Sequence, residues 1–440
     1  MDLRRFDALA SYARNPYVRL ISDELAWYST PDEKLLGVLL HDKVDFDFTW
    51  VVFARDEVFR YRAVDVNASL PTFEAAYNEL IDRLGALHAL PNYQFFQGDA
   101  EQEPIDFFDS RIPLERQHSS YRVLVEDECY SPAKEIIEAM MRSYDDVDGN
   151  FIATFQANSF DARIWELYLS ATFNELNFIR ESPAQVPDFI LKSPFGRLAV
   201  EATTVNPPDG EAIQLPEDRA GLLDYQENYI PIRLGQALRT KLNHDPPYWE
   251  GPHMEGVPFC IAIQDFHAPG SMKFIVPAIT EYVFGFRHSI EEGKLTIRPI
   301  NTHRYGRRRI RSGFFQQDDT RNVSAVIVNP QGTLTKFNRM GFMTGFGNSN
   351  VSLSRFGVVR LQDGSGLAHF NQSLDASYDE TWTEGMVVLH NPNALNPLDP
   401  RLLPGANHEF VEEDGRIKSL LPAFHPMMSQ TIVTLSEADE

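Results

Sequence analysis

The chain has 440 residues, which is too long for one ordinary hydrophobic core, so we expect two or three domains. Its 43% hydrophobic and 12% aromatic content is that of a folded globular protein and argues against extensive disorder. The formal net charge of -23 disfavours indiscriminate adhesion to nucleic acid, so any such binding must depend on a local cluster of Lys and Arg.

Two further classes of protein are disfavoured by the sequence. No apolar run approaches bilayer-spanning length, and the N-terminal residues lack the continuous apolar segment of a signal peptide, so we expect a cytoplasmic protein without a membrane partner. Cys129 and Cys260 lie far apart without CxxC spacing, which argues against a disulfide framework and against a structural zinc site. A reducing cytoplasm agrees with both observations.

Residues 1–90 are predicted to form a small α+β accessory domain. Apolar and polar residues alternate between positions 44 and 50, which predicts a strand with one solvated face. A helix is predicted to begin at Pro71, because Pro favours a helical start and apolar residues then recur at intervals of three and four. Residues 91–129, rich in Gln, Asp, Pro and Ser, are predicted to link this domain to the next.

Residues 130–300 are predicted to form the central domain. Its segments indicate a mostly buried helix at 159–176, a two-stranded hairpin at 186–205, a helix at 230–242 and then an apolar strand. This order of helix, strand, strand, helix and strand is typical of an α/β sandwich around a mixed sheet. Residues 301–440 are predicted to follow as a strand-rich and loop-rich extension.

Three carboxylates are expected to meet at one edge of that sheet. Alternation along "LAVEATTV", residues 198–205, places Glu201 and Thr203 on the same face. Asp188 lies on the preceding strand, and Glu166 lies on the preceding helix at the edge of an apolar surface, where an unpaired carboxylate would be costly. Three such charges repel one another unless a cation lies among them, and oxygen ligands of this kind suit Mg²⁺ or Mn²⁺.

The succession of these residues resembles a known family. Glu166 on a helix, then "PD" ending at Asp188, then "EAT" beginning at Glu201, is similar to the PD-(D/E)xK phosphodiesterase superfamily over about residues 155–270. The resemblance implies a restriction-endonuclease-like fold, in which helices flank a mixed sheet. It also implies a metal held by Asp188 and Glu201, an additional acidic ligand at Glu166, and a lysine that helps to activate the attacking water.

The lysine of that family is expected two residues after the glutamate, where this sequence has Thr203. A threonine supplies no positive charge, although its hydroxyl could orient a water molecule. Some families of this fold carry the lysine on the following helix, and here that helix offers Lys241, with Arg233 and Gln236 near the same face. If Lys241 lies away from the carboxylates, hydroxyl-assisted catalysis or an inactive descendant becomes the better explanation.

In a second, structural interpretation, the same three carboxylates bind no metal. Asp188 is then a turn residue, and Glu166 and Glu201 pair with arginines such as Arg163 and Arg197. The two interpretations differ in where the carboxylate oxygens point. They face a common ion in the first and separate guanidinium groups in the second.

The densest basic segment of the chain lies at residues 297–311, "IRPINTHRYGRRRIR". Two interpretations stay open, namely a surface that draws in a nucleic-acid backbone and a solvated or acid-paired loop. The candidate nucleic-acid contacts are Arg304, Arg307, Arg308, Arg309 and Arg311.

The sequence therefore predicts a metal-dependent nuclease that hydrolyses phosphodiesters in DNA, with RNA as the second choice. By analogy of fold alone, such enzymes serve in restriction or anti-phage defence. One alternative is a catalytically inactive nuclease fold that acts as a binding module. Another is a protein-interaction component in which residues 1–90 recognise a partner and the acidic surface mimics nucleic acid. A homo-oligomer is compatible with each.

Overall fold

The computed structural model describes residues 1–90, 95–99, 105–110, 112–144, 150–181, 186–208, 213, 215–363 and 366–436. The chain divides into two compact units, of which the first comprises Met1–Gln156, Phe337–Val351 and Leu435–Glu440, and the second comprises Ala157–Lys336 and Ser352–Thr434. The two units are defined by contacts between residues. The four domain segments predicted from the sequence, 1–90, 91–129, 130–300 and 301–440, stay a prediction. Among the described residues, no helix combines the length and the hydropathy that crossing a membrane requires.

The first unit is built from an antiparallel sheet and a set of helices. The four strands pair in chain order, β1-β2-β3-β4. The elements are α1 (Leu3–Ala10), α2 (Val18–Ile21), β1 (Ser22–Ser29), β2 (Leu35–Asp42), β3 (Phe48–Arg55), β4 (Tyr61–Leu70), α3 (Phe73–His88), α4 (Ser119–Glu126), α5 (Ser131–Met141) and α6 (Phe151–Gln156). Helix α4 lies inside the predicted linker 91–129, of which residues 91–94, 100–104 and 111 fall outside the described residues.

Helix α3 covers one face of this sheet. Leu80 and Leu84 of the helix pack with Leu39 and Trp50 of the strands in one buried cluster. The hydroxyl of Thr72 accepts a hydrogen bond from the backbone N–H of Ala75 and caps the helix at its N-terminus. The α+β character predicted for this region is therefore present.

The strand predicted at 44–50 is wrong in its first half, where the chain turns between β2 and β3. The carboxylate of Asp42 accepts hydrogen bonds from the backbone N–H groups of Val44 and Asp45, at 2.6 and 3.1 Å. A side chain that satisfies two backbone donors in this way stabilises a turn at the expense of a strand ladder. Strand β3 begins only at Phe48.

The second unit contains the large sheet and its covering helices. Its elements are α7 (Phe160–Glu175), β5 (Ile179–Arg180), β6 (Phe189–Ser193), β7 (Gly196–Val205), α8 (Arg219–Asp224), α9 (Ile230–Leu242), β8 (Phe259–Asp265), α10 (Ile275–Phe284), β9 (Phe286–Glu291), β10 (Lys294–Pro299), β11 (Thr302–Tyr305), β12 (Arg308–Arg311), β13 (Val323–Val328), β14 (Val351–Arg360), β15 (Leu367–Ser373), β16 (Val387–His390), β17 (Asn407–Val411), β18 (Ile417–Leu420) and β19 (Pro426–Leu435). Helix α11 (Leu334–Met343) begins in this unit, and most of its residues belong to the first.

The large sheet has the strand order β5-β6-β7-β8-β13-β16-β17-β18. Strands β6 and β7 form an antiparallel hairpin, whereas β7, β8 and β13 run parallel to one another. Every residue of β8 and of β13 is buried, as expected for central strands covered on both faces. The structure is thus mixed α/β, and its sheet continues beyond residue 300 through strands that the sequence assigned to a separate extension.

Helices α7 and α9 cover opposite faces of the sheet around β7. On one face, the ring of Phe173 in α7 packs edge-on against Phe189 at 5.3 Å. On the other face, Leu234 of α9 shares a buried cluster with Ile190 and Ala199. Because side chains alternate along a strand, Glu201 lies on the α9 face together with Ala199.

Candidate functional site

Asp188 and Glu201 lie side by side across the β6–β7 hairpin. The register pairs Phe189 with Val200, so Asp188 falls opposite Glu201 just before β6 begins. The backbone N–H of Asp188 donates to Glu201 Oε2 at 3.2 Å, and the backbone N–H of Ala202 donates to Asp188 Oδ2 at 2.7 Å. Only 4% of Glu201 is exposed, so two acidic groups share a site that is largely shielded from water.

Helix α9 and the loop after it supply two donors to Glu201. Lys241, in the last turn of α9, places its Nζ 2.5 Å from Glu201 Oε1. The hydroxyl of Tyr248 donates to the same oxygen at 2.9 Å. Burial, followed by the negative charge of Glu201, raises the pKa of Tyr248, so this hydroxyl stays protonated and remains a donor.

The environment of Asp188 favours its neutral form. Burial raises the pKa of Asp188 to about 7, and the negative charges of Glu201 and Glu166 act in the same direction. The N–H of Ala202 and the charge of Lys241 oppose this shift without cancelling it. Within the part of the chain that the structure describes, Asp188 Oδ1 accepts no hydrogen bond. This oxygen is therefore available to a ligand.

Glu166 influences Asp188 without joining the hairpin pair. Its carboxylate is held by Arg163, one turn earlier on α7, at 2.6 Å. The pairing of Glu166 with Arg163 is the one that the structural alternative expects, but Arg197 pairs with Glu181 and not with Glu201. Over the described ranges, no group of three or more His, Cys, Asp and Glu residues forms a set that could hold a metal ion. The structure thus brings together two of the three predicted ligands.

The carboxylates of Asp188 and Glu201 and the hydroxyl of Thr203 are oxygen ligands of the kind that a hard divalent cation prefers. Mg²⁺ is usually bound by one or two carboxylates, with water and substrate phosphate oxygens completing its shell. Asp188 Oδ1 is available, and from the residues that the structure describes Glu201 Oε2 accepts a single hydrogen bond, at 3.2 Å. Thr203 follows two residues after Glu201 on the same face of β7, is half-buried, and makes no side-chain hydrogen bond to any described residue.

The predicted basic cluster forms the hairpin β11–β12, which is called the arginine hairpin here. Its register places Arg304 directly opposite Arg309. His303 is buried at its base and bonds to Ser312 Oγ at 3.0 Å. The five arginines are exposed, and none forms an ion pair with a described residue; they are Arg304, Arg307, Arg308, Arg309 and Arg311. The acid-paired interpretation is therefore wrong for these five arginines, whereas Arg298 of the same segment pairs with Glu291 at 2.8 Å. The solvated interpretation and the nucleic-acid surface both stay open.

The arginine hairpin and the carboxylates contact different sides of α9. A Cβ on Gly235 would lie 2.6 Å from Ile310 of the hairpin, which shows how closely the two elements pack. At 3.6 residues per turn, Gly235 and Lys241 are about 120° apart around the helix. Of the residues expected near Lys241, Arg233 donates to the carbonyl oxygen of Asn206, and Gln236 is exposed.

Sequence reasoning missed Tyr248. It lies in the irregular segment between α9 and β8, where no periodicity predicts which side chains turn inward. Its ring is stacked between His244, at 4.4 Å, and Phe259, at 5.4 Å. The only signal in the sequence is a tyrosine seven residues after Lys241, behind two prolines that restrict the backbone.

Comparisons with known proteins add no assignment to this geometry. No protein-family model matches the chain, and no curated protein or solved structure matches it either. The chemistry of the residues themselves therefore has to support any functional inference.

Proposed function

We propose that the chain is a metal-dependent phosphodiesterase of the PD-(D/E)xK type, acting on DNA or, as the second choice, on RNA. The observation that carries the proposal is the contact of Lys241 with Glu201 beside Asp188. A lysine from the following helix thereby reaches the carboxylates that the hairpin supplies. This position compensates for the threonine that stands where the family pattern has its lysine.

The residues present would divide the work as follows. Asp188 Oδ1 and Glu201 Oε2 would hold the cation. Mg²⁺ or Mn²⁺, when bound, lowers the pKa of water and neutralises charge on the phosphate. Lys241 is placed to offset negative charge that develops on the phosphate, and the hydroxyl of Thr203 can orient the attacking water. Tyr248 fixes the rotation of the Glu201 carboxylate by donating to Oε1.

The electrostatics of Asp188 support a cation at this position. A carboxyl whose pKa is raised to about 7 by burial and by two acidic neighbours is poorly stabilised by the protein alone. A divalent ion beside Oδ1 would favour the ionised form. Such perturbed carboxylates are more common at functional sites than elsewhere.

The arginine hairpin supports a polyanionic substrate. Like charges directly opposite each other in a hairpin are destabilising, and here Arg304 faces Arg309. Phosphate oxygens would relieve this repulsion. In a chain of net charge -23, a local positive surface is also needed to bring a nucleic-acid backbone close.

The proposal is tested by incubating the full chain with supercoiled plasmid, a labelled duplex and a matching RNA in Mg²⁺, in Mn²⁺ and in EDTA. We expect cleavage that requires the divalent ion and is lost in Asp188→Asn and Lys241→Met. The control is Asp318→Asn, which changes an exposed aspartate of the second unit in the same way. Cleavage that survives in both site variants would refute the assignment.

The inactive-scaffold alternative is favoured by one observation, the ion pair that occupies Glu166. It predicts that the wild type binds duplex DNA but cleaves nothing with either metal. Binding would then be weakened by Arg307→Glu with Arg309→Glu and unchanged by Asp188→Asn.

A further inference from the structure

The first unit carries an exposed cluster of rings beside helix α3, which we call the aromatic patch. Its members lie on β1, on the end of β2, on the β2–β3 turn, on β3 and on α3. Successive ring centroids are 5.0 to 6.4 Å apart, from Tyr28 to Tyr77, Phe73, Phe48, His41 and Phe46. The rings therefore form one continuous row, in which Phe46, Phe73 and Tyr77 are exposed and the half-buried Tyr28 and Phe48 pack against the buried cluster of the unit.

This surface is exposed although the helix already has a well-buried face. Leu80 and Leu84 of α3 fill the core under the sheet. Phe73, Tyr77 and Ile81 recur at intervals of four along the neighbouring flank and are 42%, 39% and 38% exposed. Phe73 and Tyr77 contact Phe48 and Tyr28 of the sheet with part of their rings and leave the rest in solvent. Contiguous exposed apolar surface commonly marks an interaction site.

The β2–β3 turn holds one ring outward. Phe46 is 72% exposed and has a φ of 58°, in the left-handed region that non-glycine residues rarely adopt. The turn is closed by the backbone N–H of Asp42, which donates to Asp47 O at 2.9 Å, and by the two bonds to the Asp42 carboxylate. A constrained turn thus presents a phenylalanine to solvent.

Carboxylates border the aromatic patch. Asp45 and Asp47 flank Phe46 in the chain, Glu74 follows Phe73, and Asp82 follows Ile81. None of these four acidic residues forms an ion pair with a described residue. The nearby cations are engaged elsewhere, Lys43 with Asp23 at 2.7 Å and Arg83 with Asp65. These four acids give the chain segments that carry the patch a negative charge, and we call them its acidic border.

We propose that the aromatic patch binds a cationic segment of a partner protein, in which Lys or Arg side chains alternate with apolar ones. The rings would contact the apolar side chains and would bind Lys or Arg side chains over their faces. The bordering carboxylates would form ion pairs with the same cations. Nucleic acid would be repelled by the same border. A symmetric contact with a second copy would bring two negative borders together, which disfavours that occupant. The inference does not rest on the proposed hydrolase site.

The test measures binding of two labelled 16-residue amphipathic peptides to the full chain by fluorescence anisotropy, one built from Leu and Lys and the other from Leu and Glu. We expect the Leu/Lys peptide to bind at least tenfold more tightly. Phe46→Ser should weaken that binding at least tenfold, whereas Ile290→Ser, at an equally exposed position of the second unit, should leave it unchanged. Phe46 belongs to no buried cluster, so its replacement should not unfold the unit.

A second pair of variants separates the patch from overall charge. Asp45→Lys with Asp47→Lys should weaken binding of the Leu/Lys peptide at least tenfold, and Asp318→Lys with Glu413→Lys, two exposed acids of the second unit, should not. Equal losses in both double variants would show that only net charge matters and would overturn the proposal. A dimer seen by light scattering and lost in Phe46→Ser would also overturn it, in favour of a second copy.

Discussion

Replacing Asp188 by Asn should stabilise the second unit at neutral pH while abolishing the proposed activity. The folded protein holds this carboxyl in a buried position beside two acidic groups, which raises its pKa. A group with a raised pKa binds more protons in the folded state than in the unfolded state. The stability of the wild type therefore falls as pH rises through the interval between the two pKa values, and an amide removes that dependence.

The size of the effect follows from the two pKa values. The pKa rises from 3.8 to about 7, a difference of about 3, and each pKa unit corresponds to about 1.4 kcal/mol. The upper limit is thus about 4 kcal/mol at pH 8. Asn can still accept the hydrogen bond from Ala202, but its amide hydrogens need new partners, so we expect a gain of about 1–3 kcal/mol. The gain should vanish below about pH 4.

The assay is urea unfolding at pH 5 and pH 8 in EDTA, followed by pulsed hydrogen exchange of peptides from β7 and β8. This readout separates the second unit from the first, whose unfolding need not be coupled to it. Asp318→Asn, the matched control, should change the free energy of unfolding by less than about 0.5 kcal/mol. A destabilised Asp188→Asn at pH 8, or a gain of equal size at both pH values, would refute the reasoning.

Three further predictions concern the same unit. Lys241→Met should destabilise the second unit by about 1–3 kcal/mol in the same unfolding assay, because Glu201 would stay buried without its cation. An unchanged stability would mean that the contact of Lys241 with Glu201 is absent. Tyr248→Phe, which keeps the ring stack, should cost about 1–2 kcal/mol for the lost bond to a carboxylate, and a negligible cost beside a large one for Tyr248→Ala would assign the stability to packing instead. Arg307→Glu with Arg309→Glu should weaken duplex binding and lower the slope of log affinity against log salt by about 2, since each phosphate contact contributes about 0.9; Arg401→Glu with Arg416→Glu, at exposed positions of the same unit, should leave the slope unchanged.

Local patterns in the sequence were sufficient for part of the candidate site. Alternation along β7 predicts that Glu201 and Thr203 share a face, and the length of α9 predicts that Lys241 lies in its last turn. These features depend on the repeat of a single element. The hairpin register that sets Asp188 against Glu201 also follows from a short turn between neighbouring strands.

The remaining features depend on contacts that no local pattern encodes. Helix α7 covers the face of the sheet opposite to Glu201, and Arg163 of the same helix holds the carboxylate of Glu166. Tyr248 enters the site from an irregular segment. The strand predicted from the alternation at 44–50 does not form in its first half. The side chain of Asp42 accepts hydrogen bonds there from two backbone N–H groups that a strand would have paired with its neighbour.

The position of β13 in the large sheet has a consequence during synthesis. Strand β8 ends at Asp265, but the neighbour that covers its other edge begins only at Val323, about 60 residues later. At about 5–20 residues per second, a ribosome needs about 3–12 s to deliver it. Throughout that interval a mostly apolar strand, which ends in Gln264 and Asp265, has one row of backbone groups unpaired, and such a row is a template for aggregation. A fragment that stops at residue 300 would keep this exposed edge permanently, so we expect it to precipitate.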